Sequence, residues 1–406
     1  MNKEEKKNQL SKFFLYLMVA NYAGEGLAET LPGVTWPMIA EELKFNIGFI
    51  SILTMVSYIG AGISSLYITK IRKKLGTNYT LIITNMIFIV GLFLFGFSQS
   101  IVVIALGMFI VGLAIGADEV NIDSYVIKAY DASWDSIVHA FNFVGPILIT
   151  LFFGTFLRYI SSYKNIYVYT FVIFIALNII LYLGKKHWEK RKFTLDNELV
   201  ERHSVSEEEK NIKMPFLKLL KQKNILKAFA CFFLANGISR VLTVCINSIV
   251  VSQKGFSISM AAYATATYFA TMFLGRMFFG FLVKKVSIKV LIRASSFLSI
   301  IAFILFYFDI QNNLLTFILV GLIGFSTAPF IPLVSSDMKN IFDVSLLSTI
   351  LGYGVMIGLF AVSTVSALIS VAIGLFSMKA TQIILIILTI LLILIHGNLH
   401  SEQNSV

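Results

Sequence analysis

Long apolar runs, each matching the thickness of a hydrocarbon core, alternate along this chain with short polar breaks. A bilayer core takes about 20 apolar residues in a helix. Twelve stretches meet that need: 13–39, 47–69, 80–98, 101–127, 137–158, 166–184, 225–252, 258–283, 290–308, 314–335, 347–375 and 379–396. The third and fourth are separated by little more than Ser98 to Ser100. The pattern predicts an all-α membrane protein of twelve transmembrane helices. One longer polar insert, 185–224, divides the runs six and six. The expected domains are an N-terminal six-helix bundle over 1–184, a cytoplasmic linker over 185–224 and a C-terminal six-helix bundle over 225–406.

Composition agrees. Hydrophobic residues make up 57% and charged residues 14%, where a soluble domain carries about a quarter charged. The net charge of +11 raises the question of a nucleic-acid partner. The basic residues, however, sit in short loops between apolar runs, so none is expected. Lys70, Arg72, Lys73 and Lys74, then Lys284, Lys285, Lys289 and Arg293, and the stretch Lys185 to Lys227 fall on one side. Only Lys44, Arg158, Lys164, Lys254 and Lys379 fall on the other. That asymmetry predicts a multi-pass protein of the cell membrane with both termini cytoplasmic. No cleavable signal peptide is evident. Cys231 and Cys245 share one apolar run, about 21 Å apart along a helix, which excludes a disulfide between them.

Ionisable groups at membrane depth are costly and therefore informative. The first run holds Glu25 and Glu29, the fourth Asp118, Glu119 and Asp123, and the seventh Arg240. Glu25 and Glu29 are four apart and share a helix face, as do Glu119 and Asp123, and Asn236 and Arg240. Thr243 and Asn247 extend the polar face of the seventh run. Three polar stripes escape lipid by facing one another or water, which predicts a hydrated central cavity. Carboxylates there are candidates for carrying a coupling proton: Glu29, Glu119, Glu25 and Asp123. Arg240 can neutralise one of them or hold an anionic or hydroxyl-rich substrate. The bland alternative is a set of structural ion pairs. His139 and Asn142 open the fifth run, where a packing or solvated histidine is the simpler reading. Pro32 with Pro37 should kink the first helix, and Pro329 with Pro332 the tenth.

Gly275-Arg276-Met277-Phe278-Phe279-Gly280, followed by Lys284 and Lys285, resembles the repeated loop motif of the major facilitator superfamily. Ser65 to Lys70 is a fainter first-half counterpart. Both copies lack the motif's usual aspartate, with Thr69 and Lys284 in its place. Within that superfamily the chain is most similar to the fucose-permease-like branch. Glu29 to Pro37, which includes Trp36-Pro37, resembles its first-helix signature. Gly116 to Val126 resembles its fourth-helix signature, with Glu119 in the acidic position and Asp123 in place of the asparagine. His139 to Gly145 fits the start of its fifth helix. The resemblance implies two pseudo-symmetric six-helix bundles, and it puts the branch's proton and substrate carboxylates on Glu29 and Glu119.

The function these features imply is secondary active transport, a proton-coupled symport of a sugar, polyol or similar small polar solute by alternating access. Glu29, Glu119, Asn236, Arg240, Thr243, Asn247, Ser326 and Thr327 are the expected substrate contacts. The expected partners are a small-molecule substrate, protons and the lipid bilayer, with a monomeric carrier. A proton antiporter exporting drugs, amphiphiles or lipids would use the same acidic first helix. A membrane enzyme lacks support: no His-Glu-x-x-His, no Gly-x-Ser-x-Gly and no phosphate-binding loop occurs, and no cofactor or metal is expected.

Overall fold

The computed structural model describes residues 3–129, 138–156, 162–184, 216–308, 312–342 and 344–401. Every regular element among them is a helix. In chain order the long ones are α1 (Lys3–Leu43), α2 (Phe49–Leu75), α3 (Thr77–Phe97), α4 (Ile101–Ala129), α5 (Val144–Phe156), α6 (Lys164–Leu183), α7 (Lys223–Lys254), α8 (Ile258–Leu282), α9 (Ile288–Tyr307), α10 (Asn313–Thr327), α11 (Phe330–Ile341), α12 (Val344–Leu375) and α13 (Ala380–Ser401). A helical element coincides with each apolar run. Several outrun it at polar ends, α1 by ten residues at its start. Lys, Glu and Gln are good helix formers, so the backbone keeps its hydrogen bonds after the apolar stretch has ended.

Among the described residues, ten helical spans are long and apolar enough to cross a membrane, with α10 and α11 counting together as the single span Asn313–Ile341. α1 and α8 are not in that set. The reason lies in their side chains: α1 carries Asn21, Glu25, Glu29 and Thr30, and α8 carries several Thr and Tyr residues and Arg276.

The prolines act differently in the two places where they pair. α1 runs unbroken through Pro32 and Pro37. The tenth run is split, with α10 ending at Thr327 and α11 starting at Phe330. Pro329 and Pro332 lie close enough together to remove two donors within one turn, so the ladder stops. At the opposite ends, α7 closes on Gly255 in the left-handed conformation, φ 64°. Its Lys254 Nζ donates to the carbonyls of Phe306 and Phe308, both at 2.7 Å, satisfying the end of α9.

The chain forms two compact units. The first comprises Met1–Pro32, Gly60–Ile149 and Tyr159–Glu209; the second comprises Gly33–Ile59, Thr150–Arg158 and Lys210–Val406. In the first, α3 packs on α4 and α6. Phe14, Met18, Tyr22, Leu81, Ile122 and Leu181 join α1, α3, α4 and α6 in one core cluster. In the second, α7 packs on α8, α11, α12 and α13, and α8 on α10. α7 is the central helix: 83% of its apolar window is buried, against 39% for α6. Outward-facing Val172, Ile173, Ile179 and Leu183 on α6 suit contact with lipid. Much of the linker lies outside the described residues, including Lys185 to Lys192 and Glu207 to Glu209, as does Arg158.

Candidate functional site

In the first unit the acidic residues of α1 are set by a close helix crossing. A side-chain carbon at Gly26 would run into the Asn142 carbonyl, and one at Gly145 would run into the Ala23 carbonyl. Only glycine at both positions lets α1 and α5 come this near. Asn142 Nδ2 donates to the Tyr22 carbonyl at 3.3 Å. Tyr22 Oη pairs with His139 Nδ1 at 2.9 Å, so His139 packs against α1. The crossing fixes Glu25, one residue away, where it is 2% exposed. Glu29, one turn further, is half-buried.

α4 contributes Glu119, 6% exposed, and Asp118, fully buried. Asp118 Oδ1 accepts from Thr84 Oγ1 of α3 at 2.9 Å. The side chain of Asp123 lies outside the described residues. Glu25, Glu29, Asp118 and Glu119 all interact with neighbouring groups. A carboxyl in such surroundings is tolerated neutral, or ionised beside donors and cations.

In the second unit, α7 carries the polar face. Thr243 Oγ1 donates to the Arg240 carbonyl at 2.6 Å, and both side chains are half-buried. The other expected substrate contacts are packed more deeply. Asn236 Nδ2 donates to the Phe232 carbonyl at 2.9 Å, and its amide fills the space over Gly358 of α12. Asn247 is 1% exposed and donates to Thr265 of α8 at 3.3 Å. Ser326 and Thr327 are fully buried and bond back to the Ile323 carbonyl at 3.2 and 2.8 Å. Arg240 and Thr243 are thus the more accessible of the six; Asn236 and Asn247 sit against α12 and α8, and Ser326 and Thr327 bond within α10.

The loop-motif residues divide between packing and solvent. Gly275 of α8 lies against the Phe325 carbonyl, with 2.6 Å to an added side-chain carbon. That carbonyl is the one deprived of its intrahelical donor by Pro329. Gly324 repeats the approach against Tyr268. Arg276 is half-buried, and Gly280, Lys284 and Lys285 are exposed at and beyond the end of α8. The first half has the same device, with Gly60 against Phe109 and Gly116 against Ala61 of α2 and α4. Among the described residues no group of three or more His, Cys, Asp or Glu side chains is placed to hold a metal.

Residues 18–333 match the Major Facilitator Superfamily. The chain belongs to that superfamily. No curated protein matches it in sequence. Among the solved structures that share its fold are two transporters. A D-xylose-proton symporter superposes with a TM-score of 0.72 at 14% identity, covering 94% of this chain and 96% of its own. The nucleoside transporter NupG, as a point mutant, gives 0.74 at 13% identity, covering 97% and 99%.

This superfamily member also holds polar residues that hydropathy passed over. Asn85 of α3 donates to Asn21 of α1 at 3.0 Å and to Asn178 of α6 at 2.9 Å. Asn21 and Asn178 bond onward to the carbonyls of Leu17 and Ile82. In the second unit, Ser239 of α7 donates to the Thr327 carbonyl at 3.2 Å, and Tyr268 donates to the Ser239 carbonyl. Trp36, part of the first-helix signature, is fully buried and donates to the Ile47 carbonyl at 2.7 Å. The tryptophan therefore ties the end of α1 to the start of α2. Asp337 and His396 form a buried pair at 2.7 Å.

Proposed function

We propose that this superfamily member is a proton-coupled symporter of a sugar, polyol or similar small polar solute. The observation that carries the reading is the burial of Glu25 and Glu119, at 2% and 6% exposure, on two helices of one unit that also holds Glu29. An ionisable group at membrane depth is costly, and a carboxyl that takes up and releases a proton is one function that repays keeping it there. Glu29 and Glu119 are the proposed principal proton carriers, with Glu25 and Asp123 supporting them. Arg240 and Thr243 offer a cation and a hydroxyl to the solute. Asn236, Asn247, Ser326 and Thr327 shape that surface from behind. The likeness to a D-xylose-proton symporter and a nucleoside transporter supports a hydroxyl-rich solute.

The proposed topology is twelve crossings as two six-helix bundles, 1–184 and 225–406, in the cell membrane with both termini cytoplasmic. α1 and α8 cross despite their polar content because protein, not lipid, covers it. The second unit supports alternating access. Gly33 of α1 packs on the Val244 carbonyl of α7, and Thr155 of α5 accepts from Tyr263 of α8 at 3.1 Å. These contacts close one end of the carrier, and transport requires that they open. The proposed carrier is a monomer.

The test is uptake into proteoliposomes of labelled pentoses, hexoses, polyols and nucleosides, D-xylose and uridine among them, with and without an acid-outside gradient. Gradient-driven accumulation of one class is the expected result. Proton release driven by lipophilic cations, with no sugar or nucleoside uptake, would instead establish an exporter.

A further inference from the structure

The outward face of α9 changes from charge to hydrocarbon along its length. Arg293, Phe297, Ile301 and Ile304 recur at intervals of four, four and three residues, the repeat of one helix face, and all four are exposed. Lys289 stands one turn before Arg293 and is half-buried. The opposite side of α9 packs on α10, α11 and α13. Only 44% of the apolar window of α9 is buried, so the rest meets lipid. The 20 residues of α9 rise about 30 Å, the thickness of the hydrocarbon core. Arg293 is therefore rooted just inside that core, and its long side chain carries the charge towards the edge. The guanidinium runs past Gly397, near the end of α13, 3.3 Å from where a side-chain carbon there would sit.

This cation lacks a protein partner. Lys284, Lys285, Lys289 and Arg293 make no ion pair with any described residue. On the helices packed against α9, the one described acid is Asp337 of α11, which is buried against His396. A guanidinium presents a planar fork that matches two phosphate oxygens, and the ammonium of Lys289 adds a second charge one turn away. Unpaired cations in line with exposed apolar side chains complement an amphiphile with a negative head. A second copy of this chain fits the face less well, because a two-fold contact would bring the cations of both copies together.

We infer that this face of α9, at its junction with α13, is a docking site for an anionic phospholipid. Arg293 and Lys289 hold the phosphate, and an acyl chain lies along Phe297, Ile301 and Ile304. Lys284 and Lys285 add to the positive potential around the head. The site is separate from the carboxylates of α1 and α4 and does not depend on which solute is carried.

Native mass spectrometry of the purified full chain tests this, with the protein equilibrated in micelles holding equal phosphatidylglycerol and phosphatidylcholine of the same chain length. The wild type should retain phosphatidylglycerol in preference. Arg293→Gln and Lys289→Gln should each lower that preference about fivefold, and the double variant roughly twenty-five-fold. Arg293 is exposed, so Arg293→Gln alone decides if the double variant does not fold. Lys218→Gln/Lys221→Gln removes two exposed cations that precede α7 and should leave the preference unchanged. Glycerophosphoglycerol, the same head without chains, should not displace the bound lipid. Equal retention of the two lipids by the wild type overturns the inference, as does a preference that survives in Arg293→Gln. An equal fall in the Lys218 and Lys221 variant would reduce the effect to overall charge, and displacement by glycerophosphoglycerol would make the site one for free phosphate. A lipid-free dimer that Phe297→Ser returns to monomer would give the face to a second copy. Each of these three results also overturns it.

Discussion

The backbone carbonyl of Asn142 occupies the space that a side chain at Gly26 would need. Gly145 meets the Ala23 carbonyl in the same crossing, so α1 and α5 touch backbone to backbone beside Glu25. Gly26→Val should push the helices apart. Overpacking of this kind costs about 1–3 kcal/mol, and the displaced Glu25 should abolish transport. Thermal unfolding of the purified protein checks the first part, and an unchanged midpoint would show that the contact is not made.

Gly33 meets the Val244 carbonyl of α7 within the second unit, and Ser51 Oγ lies 3.9 Å from Cys245 Sγ nearby. Cys245 is 2% exposed, which makes it a native reporter of this seal. In a Cys231→Ser background, Gly33→Leu should raise maleimide labelling of Cys245 roughly tenfold, the response to about 1.4 kcal/mol of opening. Labelling as slow as in the parent would mean that α1 does not seal against α7 at Gly33.

Asn85 makes two donations inside the first unit, to Asn21 and Asn178. Asn85→Ala strands both acceptors, and a buried group left unsatisfied costs about 1–3 kcal/mol. The variant should melt earlier yet keep the parent's pH dependence of transport, because no proton carrier is touched. A changed pH profile would place Asn85 in the coupling path.

The helices and the acidic stripe were legible in the sequence for the same reason: burying charge in lipid is costly enough to leave a pattern in composition. Side-chain packing leaves no such mark. Asn236 and Asn247 read as cavity residues because a helix face says nothing about which neighbour covers it. In the structure, α12 covers one and α8 bonds the other. Asn21, Asn85 and Asn178 carry no charge, so hydropathy passed over a network that three helices share. Asp337 lay just past the apolar run ending at 335, and only the continuation of α11 to Ile341 brings it inside. His396 was the last residue of its run, with nothing in sequence to name a partner fifty-nine positions away. The split at Pro329 was anticipated as a kink, whereas the unbroken path of α1 past Pro32 and Pro37 shows that two prolines stop a helix when they fall within one turn.

Arg240 is a half-buried cation in the middle of α7, and its charge should matter to the solute. Arg240→Ala should weaken uptake of a carboxylate-bearing sugar analogue by about tenfold more than that of its neutral parent, as loss of a charge-assisted bond predicts. Competition for uptake measures the ratio. Equal losses would assign Arg240 to charge pairing within the protein.

The central claim is that buried carboxylates on α1 and α4 carry the coupling proton, and Glu119→Gln tests it most directly. Glutamine keeps the shape of the protonated acid and cannot release a proton. In proteoliposomes containing a pH-sensitive dye, wild-type protein should move protons with the transported solute. Glu119→Gln should show no solute-driven proton movement and no gradient-driven accumulation, while solute exchange at equilibrium continues. Proton movement with the wild-type pH dependence in Glu119→Gln would contradict the account and leave Glu119 a structural residue.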